Sequence, residues 1–257
     1  DNELLEWLRR SCTLHRTLDH GDASPTACAW FAVDQNGNVF AYREYYMPNK
    51  LISDHRSNIT RMSEDETYQL QLADPSIFFK TQQKHGGRWS VNDEYADCRN
   101  LPRDTAIFWQ PADNNELGTR NRISEYLRVD PERIHPITKE RGAPRLYFLK
   151  ASENFPQGCN HILRETRSQR RLKIGTDLGK PIFCDDRDEK ISDHAYDLLR
   201  YFIASRPPVA AVEQRRYGPG TMAAVRRQYL EFKRRGGFKL LAERARKETA
   251  GYATRRD

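Results

Sequence analysis

The chain has 257 residues, with 43 Lys and Arg against 36 Asp and Glu and a net charge of +7. Its five cysteines are scattered without CxxC spacing, and no apolar run reaches the roughly 18 residues of a membrane-spanning helix, which excludes a disulfide framework, a structural zinc quartet and a helical membrane protein. No signal-peptide pattern is read, and a first residue of Asp is what a segment cut from a longer polypeptide would show.

Residues 1–11 (DNELLEWLRRS) read as a short helix or linker, and Cys12 to Leu18 alternate loosely as a strand ending at Asp19. TACAWFAVD (26–34) is a second strand, and Asn36-Gly37 is the hairpin signal that returns the chain through NVFAYREYYMP (38–48). ISDHRSNITRMS (52–63) has helical spacing, and YQLQLADPS (68–76) is a strand closed by Pro75. KTQQKHGGRWS (80–90) reads as a basic, Gly-Gly hinged loop, VNDEYADC as a short helix and AIFWQP (106–111) as a buried strand. NELGTRNRISEYLRV (115–129) is an amphipathic helix, RLYFLKAS (145–152) a strand, NHILRETRSQR a helix, and 190–204 the closing helix. This order predicts an α/β fold with one mixed central sheet flanked by helices; three consecutive opening strands argue against a plain doubly wound sheet.

Arg206-Pro207-Pro208 breaks the chain. From Pro207 onward, 13 Lys and Arg face 5 Asp and Glu, a net of +8 that leaves the remainder at −1. The expected organisation is therefore a linker or helix over 1–11, a domain over 12–206 and a basic tail over 207–257. The tail's charge calls for an anionic partner, and Tyr229, Phe232, Phe238, Leu240 and Leu241 favour a protein surface over DNA.

Three acidic positions share a logic. Asp19 and Asp74 end strands that emerge side by side if the first and fourth strands are neighbours. Asp193 and Asp197 lie four apart on the last helix, a spacing at which like charges repel by roughly 0.2–0.5 kcal/mol. Arg200 could pair with Asp197, the ordinary reading of a solvated helix face. Carboxylates gathered in a half-buried pocket are costly unless a cation holds them, and hard oxygen ligands without a His/Cys set favour Mg²⁺ or Mn²⁺. Two such ions clamp a phosphodiester for hydrolysis.

At this point the chain resembles the nuclease domain of the large terminase subunits of tailed bacteriophages, an RNase H-like fold, over about residues 12–204. The resemblance lies in Asp19 with Gly21 and SPTA (24–27), GNVFAYREYYMP (37–48), ADPSIF (73–78), PADNNELGTRNR (111–122) and SDHAYDLLRY (192–201). It implies a two-metal endonuclease that cuts concatemeric double-stranded DNA at packaging, in the cytoplasm of the infected host. Asp19, Asp74, Asp193 and Asp197 would be its metal ligands, His194 beside them would orient water or substrate, and a portal or procapsid and a small terminase subunit would be its partners. Residues 1–11 would lead from a preceding ATPase domain. This chain has no phosphate-binding G-x-x-x-x-G-K-[ST] motif, since GTDLGKP (175–181) has the wrong spacing and a proline. His20 stands where an aromatic residue is expected, and Asp22 and Glu44 are further acids near the site. Lys80, Lys84 and Arg88 are expected to hold DNA phosphates without reading bases. Rival readings are an RNase H-like resolvase or transposase, and a non-catalytic DNA-binding or portal-docking module.

Overall fold

The computed structural model describes residues 2–205 and Pro207, apart from 64–65, 85, 100–104, 154, 178–179 and 189. Contacts divide the chain into residues 1–210 and 211–257, and almost all of the proposed tail lies outside the described residues.

Helix α1 (Asn2–Ser11) leads into the opening strands β1 (Thr13–Asp19), β2 (Thr26–Val33) and β3 (Val39–Met47), an antiparallel meander. The β2–β3 turn is built by Asp34, whose Oδ1 accepts from the N–H groups of Asn36 and Asn38, while Gly37 takes the left-handed conformation at φ 73°. Helix α2 (Ile52–Ser63) crosses back to β4 (Leu70–Ala73), which pairs with β1 in parallel; β7 (Gln110–Pro111) then adds in parallel to β4. After helix α4 (Glu116–Leu127), β10 (Leu146–Phe148) joins the far edge beside β3, giving the order β10-β3-β2-β1-β4-β7. This is the mixed central sheet flanked by helices that the element order predicts.

Every residue of β2 is buried because both faces of the sheet are covered. Ala27, Ala29, Phe31 and Val33 face α5 (Asn160–Ser168) and α6 (His194–Ala204), with Phe31 stacked on Phe202 at 4.3 Å. Cys28, Trp30 and Ala32 face the opposite layer, which holds Leu8 of α1, Ile59 of α2 and Tyr95 of α3 (Val91–Ala96). A bulge lies where Trp30 pairs with Arg43 but Phe31 pairs with Ala41. It inverts the alternation of β3, so that Arg43 and Tyr45 join the α2 layer while Glu44 and Tyr46 turn toward α5 and α6.

Two expected elements differ. The 80–90 segment is a short hairpin, β5 (Gln82–Lys84) and β6 (Gly87–Trp89), turned at Gly86 with φ 78°. AIFWQP forms ladder pairing only at Gln110–Pro111; Ile107 and Trp109 are buried beside Tyr95, and the Ile107 N–H donates to the Tyr95 carbonyl instead of to a strand. Two hairpins without a sequence signal also appear, β8 (Asp130–Ile134) with β9 (Arg141–Ala143), and β11 (Arg171–Asp177) with β12 (Lys180–Arg187).

Candidate functional site

Parallel pairing of β1 and β4 sets Leu18 opposite Ala73, so Asp19 and Asp74 leave the sheet side by side. The Asp74 N–H donates to the Leu18 carbonyl at 3.1 Å, and the Asp74 Oδ1 then accepts from Ser76 N at 2.7 Å, capping the 3-10 turn Pro75–Phe78. Helix α6 lies over this point. Thr17 Oγ1 donates to the Leu198 carbonyl at 3.1 Å, tying β1 to the helix, and Tyr201 donates its phenol proton to Asp74 Oδ2.

Helix α6 is aimed by a carboxylate from another element. Asp193 is its N-cap residue by position but makes no side-chain cap. The buried Glu165 of α5 accepts instead from the N–H groups of Ala195 at 2.7 Å and Tyr196 at 3.1 Å, and from Ser192 Oγ at 2.9 Å and Tyr46 Oη at 3.1 Å. Helix α5 is held the same way. Its N-cap residue Cys159 makes no side-chain cap, and Glu44 of β3 accepts from the N–H groups of His161 at 2.7 Å and Ile162 at 3.0 Å. Glu44 is thus a helix cap rather than a member of the acidic group.

Asp19 donates nothing and accepts from, or pairs with, His194 Nδ1 at 3.1 Å. Burial pushes the Asp19 carboxyl above its usual range; His194 opposes this, while Asp197 and Asp74 push it further up. Hydrogen bonding to Asp19 raises His194 against the effect of burial. The Tyr201 phenol is raised by burial, by Asp197, by its bond to Asp74 and by Asp19. The structure thus brings Asp19, Asp74 and Asp197 within mutual electrostatic reach, with His194 and Tyr201 among them. Asp193 joins them through shared partners: burial raises its carboxyl, Arg187 opposes this, and Asp197 pushes it further up.

Positive charge at the site comes from the chain itself. Arg187, at the end of β12, reaches Asp197 at 2.6 Å and Asp193 at 2.9 Å, and Arg200 pairs with Asp197 at 3.0 Å. The i+3 pair with Arg200 considered from the sequence is therefore present, but it sits beside Asp19 and Asp74 rather than on an open helix face. Glu165, Tyr201 and Arg187 carry no sequence signal. Glu165 and Tyr201 act across 30 and 127 residues, on Ala195 and Asp74, whereas Arg187 lies only 10 residues before Asp197, on a hairpin without a sequence signal.

Hard carboxylate oxygens gathered in a half-buried place are the donor chemistry of a divalent-cation site. Among the described residues, however, no three His, Cys, Asp or Glu side chains are placed to hold one ion. Both Asp197 oxygens are engaged by guanidinium groups, and both Asp74 oxygens by Ser76 and Tyr201.

Lys80 and Arg88 are exposed on the hairpin that follows Asp74. The Lys84 side chain lies outside the described parts. His20 accepts or donates at Thr26 Oγ1 and Tyr95 Oη, with burial lowering its pKa to about 4, a packing role that accounts for imidazole in place of an aromatic ring. Asp22 lines a separate cavity of about 620 Å³ with His20, Lys50 and Glu94. Among the described residues, no helix is long and apolar enough to cross a membrane.

No family model and no curated protein matches the chain. Solved structures are similar to it at low identity. The large terminase from the thermophilic bacteriophage D6E is 17% identical, over 77% of this chain and 40% of that one, with a TM-score of 0.48. The P22 large terminase nuclease domain is 13% identical, over 76% of this chain and 82% of that one, with a TM-score of 0.46. The chain thus spans 40% of the length of the D6E protein. Likenesses of this size carry no functional conclusion by themselves.

Proposed function

We propose that this chain is the nuclease part of a viral genome-packaging terminase and hydrolyses phosphodiester bonds of double-stranded DNA with a divalent cation. The observation that supports the reading most is the meeting of Asp19, Asp74 and Asp197 from two adjacent strand ends and a helix, with mutual effects on the Asp19 carboxyl.

Asp19, Asp74, Asp193 and Asp197 would hold two Mg²⁺ or Mn²⁺ ions, with Asp193 and Asp197 released from Arg187 to do so. The metal, when bound, activates water and stabilises charge on the phosphoryl oxygens. The chain's own residues supply the rest. His194 is fixed by Nδ1 against Asp19, which sets its ring to orient water or take a proton at Nε2. Tyr201 holds the Asp74 carboxylate in place. Lys80, Lys84 and Arg88 would bind phosphates beside the acids without base contacts, the behaviour of a sequence-tolerant enzyme. A portal or procapsid surface and a small terminase subunit would be its partners, in the cytoplasm of an infected bacterium.

One observation favours a second reading, a non-catalytic DNA-binding or portal-docking module: Arg187 and Arg200 already neutralise Asp197. Incubation of the full chain with supercoiled and linear DNA in Mg²⁺ or Mn²⁺, with a chelator control, separates the two. Metal-dependent cutting that disappears in Asp19→Asn is the expected result. Equal cutting by wild type and Asp19→Asn, or none under any metal, overturns the nuclease proposal.

A further inference from the structure

A cavity of about 230 Å³ is lined by residues of α4, α5, α6 and the β11–β12 hairpin, and Asp19 is not among them. A water molecule occupies about 30 Å³ of liquid, so the space holds a tetrahedral anion with part of its hydration. Four arginines line it: Arg120 of α4, Arg170 and Arg171 before and at the start of β11, and Arg187. Among the described residues, Asp188 pairs with Arg170 at 3.0 Å, and Asp193 and Asp197 pair with Arg187.

Two further lining residues are polar and incompletely satisfied. Thr166 Oγ1 and Gln169 Oε1 are buried and make no hydrogen bond. The orientation of Gln169 is fixed, because its Nε2 donates to the Ser192 carbonyl at 3.2 Å. A buried hydroxyl and a buried carbonyl without partners each carry a desolvation cost. A ligand that accepts from Thr166 and the guanidinium forks, and that brings a hydroxyl or bound water to Gln169, would remove both costs.

We propose that this cavity binds a phosphate group, and that its occupation draws the Arg187 guanidinium from Asp193 and Asp197. Phosphate matches the planar arginine fork in bidentate fashion and competes with carboxylates for it. Because Arg187 lines the cavity and also reaches both acids, one side chain connects an anion on one side with the carboxylates on the other. Binding in the cavity would thereby return negative charge to the acidic group, whether or not that group holds metal in a nuclease. The phosphate can belong to a DNA backbone or to a free anion.

The test is a titration of the full chain with inorganic phosphate, followed by NMR of the arginine side chains, at constant ionic strength. Saturable binding is expected, weakened about tenfold or more in Arg171→Ala and measurably in Thr166→Val. Arg171 is exposed and Thr166→Val conserves shape, so both variants should keep the wild-type amide spectrum. The Arg187 resonance, assigned by its loss in Arg187→Lys, should move along the same saturation curve. Competition by a short DNA duplex would identify the backbone as the phosphate source, and saturation without competition would identify a free phosphate. Absence of saturable binding, or equal affinity in wild type and both variants, overturns the site. A stationary Arg187 resonance overturns the exchange of partners. None of these readouts depends on DNA cleavage, so they stand apart from the nuclease assay.

Discussion

Glu165→Ala is the perturbation that most directly tests how the acidic group is held. Glu165 accepts two backbone N–H groups of the first turn of α6 from within the core, where its side chain is 1% exposed. A hydrogen bond to a charged group contributes about 1.5–3 kcal/mol, and Ala leaves both donors without a protein acceptor. The two hydroxyls lose less, because Tyr46 Oη and Ser192 Oγ already lie 3.3 Å apart and can bond each other. Allowing for water entering the space, the expected cost is about 3–4 kcal/mol, or roughly 6–16 °C in melting temperature for a domain of this size. Asp193→Ala is the matched control. It removes the positional N-cap, but Asp193 makes no cap and loses only a partly exposed pair with Arg187, worth about 1 kcal/mol or less. Thermal unfolding by circular dichroism at fixed pH and salt gives both numbers. If Glu165→Ala melts within about 2 °C of wild type, or Asp193→Ala costs as much, the assignment of the cap is wrong.

Asp19→Asn is expected to abolish metal-dependent DNA cutting, by about two orders of magnitude or more, while raising the melting temperature without metal, since it removes a buried charge that Asp74 and Asp197 oppose; a wild-type cutting rate or a lower melting temperature would count against it. His15 is fully buried and burial lowers its pKa to about 4 from 6.5, so the unfolded chain takes up the proton first and His15 should contribute about 3 kcal/mol to the loss of stability as pH drops from about 6.5 to about 4, in the same window as His20. His15→Leu should flatten that window relative to wild type in melts at pH 4–7, and a directly measured His15 pKa near 6.5 would sink the argument. A chain ending at Ser205 should fold with an unchanged melting temperature, because α6 closes the described core at Ala204; its DNA affinity should keep the salt slope of the full chain if the tail docks a protein, and show a shallower slope if the tail holds DNA. Insolubility of that shorter chain would assign the tail to the core.

The strand-end pair was legible in the sequence because two local signals sufficed. TLHRTLD and LQLA each stop at an aspartate before a breaker, Gly21 in one case and Pro75 in the other, and parallel neighbours then place the two ends together. The closing helix was legible from its apolar spacing, and Ala195, Leu198, Leu199 and Phe202 are indeed buried, although the helix begins at His194 rather than 190 and is also buried at Tyr196 and from Arg200 to Ala204. What the spacing of Asp193 and Asp197 cannot encode is which of them turns toward Asp19. Nor can it show that Arg187 pairs with both, since Arg187 sits on a hairpin with no alternation to read. Ile174, Ile182 and Phe183 are exposed there, so no buried face imposes a period of two on the strands. AIFWQP misleads for the opposite reason: Ile107 and Trp109 are buried by packing beside Tyr95 of α3 without entering the ladder, while Phe108 between them is exposed.

The deeper limit lies in how the helices are capped. Local rules look for the cap within a residue or two of the helix start, and at α5 and α6 that position holds Cys159 and Asp193, neither of which caps. The acceptors come from other elements, in series. The bulge opposite Trp30 and Phe31 turns Glu44 toward α5, Glu44 fixes the start of α5, and α5 carries Glu165, which fixes the start of α6. Asp197 and His194 lie in the first turn so fixed. A one-residue irregularity in a central strand therefore reaches the acidic group through two buried carboxylates. Neither is a ligand candidate, because each spends both its oxygens on helix N–H groups and neighbouring side chains. The same accounting separates the acids that build the site from those that face it: Glu44 and Glu165 are saturated by the backbone, whereas Asp19 and Asp197 are met by the ionisable side chains of His194, Arg187 and Arg200, each of which can turn away without unfolding a helix.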